Sequence, residues 1–250
     1  MKINFKRLRQ DLKAGRFAPV YLFHGQEPYL IDRAWEATLE ALPGSAADDF
    51  NLEILAASEV SPEEVTGRLA QLPLLGGRRV VAVKHLEKVK AEWLEGLLKV
   101  LENPLPESHL VLTAAKQVDA RTRFFKAADK AGAVVQCRTP GEKELLAWLD
   151  EEAKARGKTF GPQAKMLLVT RVGQNLTDLA GEVEKLSLFV HPAGEISPEA
   201  VKAASAAWRG YTNFDLGDAV GRRDGLTALA ILHHLLLAGE ERKLGPLLVG

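Results

Sequence analysis

A single cysteine, Cys137, stands in the 250 residues. No internal disulfide can form, and the chain fits a reducing cytoplasm. A surplus of either charge is also missing, since lysine plus arginine and aspartate plus glutamate number 33 each. A protein that grips DNA by itself draws most of its affinity from neutralised phosphates and carries a basic excess. Any DNA contact is therefore expected to be shared with partners. Long apolar runs are lacking: "ILHHLLLAG" is too short to cross a bilayer, and no secretory leader is visible. Neither an internal repeat nor a low-complexity segment interrupts the chain.

What is there is ordinary in bulk, with 46% hydrophobic and 26% charged residues, as in a soluble globular protein. The length suits one large domain or two small ones. Five short β-prone runs occupy the first 140 residues: "PVYLF", "NLEIL", "RVVAV", "HLVLT" and "AVVQC". Helical patterns fill the gaps, and such alternation predicts an α/β domain with a mostly parallel sheet covered on both faces. Ile3, Phe5, Leu8 and Leu12 have the spacing of an amphipathic amino-terminal helix. Pro28 opens another, with Leu30, Ala34, Trp35, Thr38, Leu39 and Leu42 along one stripe. A third starts at "SPEEV", with Ser61 as cap and Glu64 placed to close a capping box.

After "CRTPGEKE" the strand signals stop. Helices are predicted at about Glu142–Arg156, Pro162–Arg171 and Leu176–Val190, the last capped by Asn175, and a fourth begins at Pro198 behind Ser197. These form a small all-helical domain. Composition changes again near "WRGYTNFD", where two helices of a third unit begin. The expected division is 1–140, 141–209 and 210–250. The apolar ending "KLGPLLVG" reads as a cut inside a longer protein.

"YLFHGQEPYLIDR" runs from an apolar strand through a glycine into a helix, the place where a nucleotide-binding protein cradles a phosphate. The phosphate-binding pattern G-x-x-x-x-G-K-[ST] supplies backbone N–H groups, a lysine and a metal-binding hydroxyl. Laid from Gly25, this chain has Leu30 for the second glycine, Ile31 for the lysine and Asp32 for the hydroxyl. Pro28 has no N–H to donate, and Glu27 and Asp32 would repel a phosphate. Strand "RRVVAV" runs into Lys84 and His85, where a magnesium-holding carboxylate is expected. The loop reads as an ordinary α/β turn with no nucleotide cofactor and no metal.

The stretch "QLPLLGGRR" is the most informative. Leu72 precedes Pro73, which pushes it out of helical geometry, and Gly76-Gly77 breaks the chain again before the next strand. Leu72, Leu74 and Leu75 lie at that break. Either they tuck back into the core, or they stand out as an apolar plug for a partner's pocket. Burying each leucine is worth roughly 1.5–3 kcal/mol. Three give on the order of 5–9 kcal/mol, against an association cost of about 4–15 kcal/mol. A plug of this size anchors a complex without holding it tightly alone.

Other candidates are weaker. His233-His234 is an adjacent pair on a helix, facing different ways, with no cysteine or acidic cluster beside it. No Ser/His/Asp or Cys/His set has a local signature, and Cys137 reads as a buried small hydrophobe at a strand end. Lys116, Arg121 and Arg123 form a basic cluster that approaches DNA or is simply solvated, the latter being favoured.

"QLPLL" resembles the glutamine–leucine–x–leucine–phenylalanine peptide by which bacterial proteins bind the replication sliding clamp, with leucine in the final place. Together with "YLFHGQEPYLIDRA", "QLPLLGGRRVVAV", "VGQNLTDLAGEVEKLSLF" and "FDLGDAVGRRDGLTALAILHHLLLAGEE", in that order, it resembles the delta-subunit family of bacterial DNA polymerase III clamp loaders. The resemblance implies an AAA+-like α/β domain, a helical lid and the start of a collar domain. It implies a non-catalytic subunit without a nucleotide site, binding the clamp (beta subunit) through Gln71, Leu72, Pro73, Leu74 and Leu75. Its implied partners are the delta prime and gamma/tau subunits of a pentameric ring, and primed DNA through that assembly; no membrane is involved. "Cys137-Arg138-Thr139" superficially resembles the arginine-finger motif of the sister subunits, lacks its serine, and takes no catalytic role. Two other readings stand beside this one: an AAA+ ATPase of replication or recombination with an eroded loop, which ATP binding would favour, and a scaffold whose leucines are core.

Overall fold

Branched aliphatic residues crowd the β-prone runs, and each run becomes a strand buried on both faces or at a sheet edge. The computed structural model describes residues 2–42, 50–73, 77–190, 194–205, 213–221 and 224–237. The described residues fall into two compact units, Met1–Gly141 and Glu142–Gly250.

The first unit runs β1 (Lys2–Ile3), α1 (Phe5–Lys13), β2 (Val20–Gly25), α2 (Pro28–Ala41), β3 (Leu52–Ala56), α3 (Pro62–Leu69) and β4 (Arg79–Lys84). After a 3-10 turn at Leu86–Lys88 come α4 (Ala91–Gly96), α5 (Leu98–Glu102), β5 (Ser108–Ala114), α6 (Arg123–Ala131) and β6 (Ala133–Cys137). The six strands lie in the order β1-β6-β2-β5-β4-β3, every pair parallel. Alternate side chains of one strand serve opposite layers. Tyr21, Phe23, Val80 and Ala82 face α1 and α2, meeting Leu8, Leu12, Ile31 and Trp35. Val20, Leu22, Val81 and Val83 face the other layer, meeting Val65, Leu69, Leu101 and Phe124. Covering both faces explains why the strands read as continuous apolar runs.

The five expected strands are joined by a sixth, β1, and here the sequence reading needs correction: Ile3 is not helical. The Asn4 side chain accepts the Arg7 N–H at 2.8 Å and caps α1, with extended backbone at φ −91°. The two residues ahead of the cap are left to pair with Val134 and Val135 of β6. Phe5 and Leu8 do open the helix as their spacing suggests.

In the second unit, α7 (Glu142–Ala155), α8 (Ala164–Val172), α9 (Leu176–Phe189) and α10 (Pro198–Ser205) pack around Leu145, Leu149, Leu168, Leu179, Val183 and Val201. Asn175 caps α9 through the N–H groups of Thr177 and Asp178, and the Ser197 hydroxyl accepts the Ala200 N–H at the start of α10. The unit is not purely helical, as a second correction. β7 (Thr159–Phe160) and β8 (Glu195–Ile196) form a two-residue parallel pair, too short to produce an alternating pattern. Farther on, α11 (Asn213–Gly221) and α12 (Gly225–Leu237) meet through Ala219 and Ile231.

Candidate functional site

The chain leaves β2 for the far edge strand β3, whereas β6 returns to lie on β2's other side. The carboxyl end of β2 is therefore the point where a doubly wound sheet opens a ligand crevice. Only Gln26 and Glu27 separate the end of β2 at Gly25 from Pro28 of α2. A phosphate-binding arch needs four residues between its glycines, but here the helix begins at the third residue past Gly25. The turn is also tied down. The Glu27 N–H donates to the Cys137 carbonyl at 3.2 Å, and Gly25, at φ +148°, lies so close to β6 that a Cβ would overlap the same carbonyl. Of the three positions laid on the motif, Ile31 is buried in the α1/α2 core, Leu30 is partly buried against it, and Asp32 is exposed.

The neighbouring strand ends are committed as well. Lys84 Nζ stands 4.5 Å from the centroid of the Trp35 ring on α2, a cation–π contact. His85 is left-handed at φ 66° and its Nδ1 lies 3.1 Å from Glu87 Oε1. Glu87 also accepts the Ala115 N–H at 2.9 Å, joining the ends of β4 and β5. Burial raises the Glu87 carboxyl, but hydrogen bonds from backbone N–H groups and from His85 outweigh it and hold the group below its usual range. The sequence reading passed over this carboxylate because it follows the strand by three residues, inside "KHLEK". Burial, with the charge of Glu27 adding to it, pushes the Cys137 thiol up to about 12.

The other candidate is the corner after α3. At the helix start, Ser61 Oγ accepts the Glu64 N–H at 3.2 Å and Glu64 Oε2 accepts the Ser61 N–H at 2.7 Å, the capping box expected of "SPEE". The helix ends at Leu69, earlier than the Leu72–Pro73 break alone requires. Its last carbonyls find side-chain donors: Arg79 Nε donates to Arg68 O at 3.2 Å, and Ser108 Oγ to Leu69 O at 2.8 Å. These bonds replace the next helical turn.

Arg79, only 4% exposed, organises the whole corner from the first position of β4. Besides Arg68 O, its guanidinium reaches Phe50 O at 2.9 Å, Gln71 Oε1 at 3.0 Å and the carboxylate of Glu53 on β3. Arg68 holds the second oxygen of Glu53 at 2.6 Å. Burial raises the Glu53 carboxyl, and the hydrogen bonds and charges of Arg68 and Arg79 more than offset this, holding it below its ordinary value. The end of α3, Gln71 and the start of β4 thus meet around one buried cation. Leu72 is 82% exposed, Gln71 is exposed and Pro73 partly buried. Leu74 and Leu75 lie outside the described residues. A shallow recess beside Leu72 and Pro73 is lined by Leu69, Leu105 and Pro106. Neither Arg79 nor Glu53 carries a sequence signal beyond being a charge within a β-prone run.

The remaining candidates do not gather into a site. Arg121 forks onto Asp119 at 2.8–3.1 Å, and its hydrogen bonds lower that carboxyl to about 2. Lys116 donates to Glu87 O at 3.3 Å, and Arg123 starts α6. His233 is exposed on α12. Among the described residues no group of three His, Cys, Asp or Glu side chains could hold a metal, and no helix is long and apolar enough to cross a membrane.

Residues 21–138 match the family "DNA polymerase III, delta subunit". Over 241 residues the chain is 28% identical to DNA polymerase III subunit delta of Bacillus subtilis, covering 93% of this chain and 70% of that protein. Against DNA polymerase III subunit delta of Escherichia coli the identity is 24%, covering 94% and 69%. The solved Bacillus subtilis DNA clamp loader delta protein has a TM-score of 0.75 and 26% identity, over 94% of this chain and 72% of that one. A family match across the α/β unit, two curated proteins aligned along nearly the full chain and a shared fold agree: the protein is similar to the delta subunit of bacterial DNA polymerase III.

Proposed function

We propose that this protein is a clamp-loader subunit that binds the sliding clamp through Gln71, Leu72, Pro73, Leu74 and Leu75 and helps open the ring for loading onto primed DNA. The observation carrying this reading is an apolar side chain, Leu72, held 82% exposed just past the end of α3, where the buried Arg79 guanidinium binds Arg68 O and Gln71 Oε1. A large apolar group kept in water on a rigid support is pre-organised for burial elsewhere, which lowers the ordering cost of binding. Family membership of the relatives supports the choice of partner.

Ring opening follows from differential affinity. A closed clamp balances strain against its intersubunit contacts. A protein that binds the opened geometry more tightly shifts the ring open by that difference in affinity and by no more. The corner supplies attachment, and the α/β surface around it discriminates between the two shapes. The 1–140 segment is the AAA+-like domain in this reading, 141–209 the lid and 210–250 the beginning of the collar that joins delta prime and gamma/tau in a pentamer. The subunit works in the cytoplasm without a nucleotide of its own. Supporting that last point are the two-residue turn at Gly25, the Glu27 N–H bonded to Cys137, and Ile31 buried where a phosphate lysine would stand. ATP held by sister subunits exposes or hides the corner.

The test is capture of the cognate clamp, with and without ATP-loaded sister subunits. The double variant Leu74→Asp/Leu75→Asp is expected to keep its melting temperature and lose the clamp. A double variant that still captures the clamp removes these residues from the interface, and one that unfolds returns the leucines to the core.

A further inference from the structure

Among the described residues of the first unit, the two most exposed large apolar side chains are Leu72, at 82%, and Phe50, at 75%. They lie 22 positions apart in the chain, on the segments entering β3 and leaving α3. Isolated exposed hydrophobics are common and need no explanation. These two are not isolated, because one planar group holds both supports. Arg79 Nη1 donates to the Phe50 carbonyl at 2.9 Å, and Nη2 of the same guanidinium donates to Gln71 Oε1 at 3.0 Å, one residue before Leu72. The fork of an arginine is rigid, so the two acceptors keep a fixed spacing. The Glu53 carboxylate, three residues after Phe50, closes the arrangement on Arg79 and Arg68.

We propose that Phe50 is a second anchor of the surface that carries the leucine corner, received by an apolar depression of the same partner beside the socket for the leucines. This rests on the clamp-binding reading above. Aromatic side chains are enriched among the residues that dominate binding energy, and they lose little conformational freedom when they dock. With its main chain fixed by Arg79, Phe50 meets the partner in register with Leu72. The leucines alone give a plug too small to hold the complex tightly. A pre-positioned aromatic ring enlarges the contact without ordering any further segment.

The experiment measures the affinity of the full chain for the immobilised cognate sliding clamp. Wild type, Phe50→Ala, Phe50→Leu and Leu74→Asp/Leu75→Asp are compared, each with a thermal melt. Phe50→Ala is expected to bind about tenfold or more weakly with an unchanged melt, Phe50→Leu to fall between it and wild type, and the leucine variant not to bind. If Phe50→Ala binds within about twofold of wild type while the leucine variant has lost the clamp, the second anchor is wrong and the clamp-binding reading stands. If the leucine variant binds like wild type, that reading fails and takes this inference with it. A lowered melt for Phe50→Ala makes the ring part of the fold and also overturns the inference.

Discussion

Replacing Arg79 by methionine removes one cation while keeping most of the apolar stem. The side chain is 5% exposed and bonds to Phe50 O, Arg68 O, Gln71 Oε1 and the Glu53 carboxylate. Removing one partner of a buried ion pair costs about 3–5 kcal/mol, because the other charge is left without compensation. Here Glu53 keeps Arg68, and its side chain is 27% exposed, so water reaches it. Gln71 and the Phe50 segment also face solvent and can be rehydrated. These reliefs place the loss at the low end, about 3 kcal/mol. Such a loss corresponds to roughly a 150-fold change in an opening equilibrium. Amide hydrogen exchange reads it locally, which suits a chain of two compact units whose global unfolding need not be two-state. The amides of the β3–β4 ladder, such as Leu55 and Ala82, are expected to exchange roughly 100-fold faster in Arg79→Met. The second unit's α9 is expected to be unaffected. Exchange within about threefold of wild type along that ladder would refute the view that Arg79 holds the corner.

Acid titration tests the same network from the carboxylate side. Because the folded Glu53 value is held below its ordinary 4.5, its contribution is complete above that ordinary value and disappears as pH falls through the folded one. Wild type is therefore expected to lose stability toward low pH more steeply than Glu53→Gln, the two converging in acid; parallel stability–pH curves would contradict this. At the β2 turn, Gly25→Ala puts a Cβ into the Cys137 carbonyl at a backbone angle that side chains rarely adopt. It is expected to destabilise the α/β unit by about 3 kcal/mol or more, seen as a lower melting temperature and lost protection in β6. An unchanged melt would mean that β2 and β6 can separate there without cost.

Residue order by itself determined the elements whose physics is local. Strand runs such as "AVVQC" need only branched side chains and two-sided burial. The caps of α3 and α9 need only Ser61 with Glu64, or Asn175, beside the N–H groups they satisfy. The departures from a phosphate loop were legible for the same reason, since they lie within a dozen consecutive residues, whereas the sequence left Leu72 open between core and surface and the fold exposes it. Tertiary structure decided whatever depends on partners distant in the chain. Ile3 became a strand because Val134 and Val135 offered an open sheet edge, and β7 exists only because β8, 36 positions on in register, pairs with it. Arg79 gained its meaning from Phe50, Glu53, Arg68 and Gln71, none of them its neighbour in sequence. Hydrogen-bond patterns within one turn are written in adjacent residues, but a buried charge is satisfied by whichever segments the fold brings to it, and no local pattern names them.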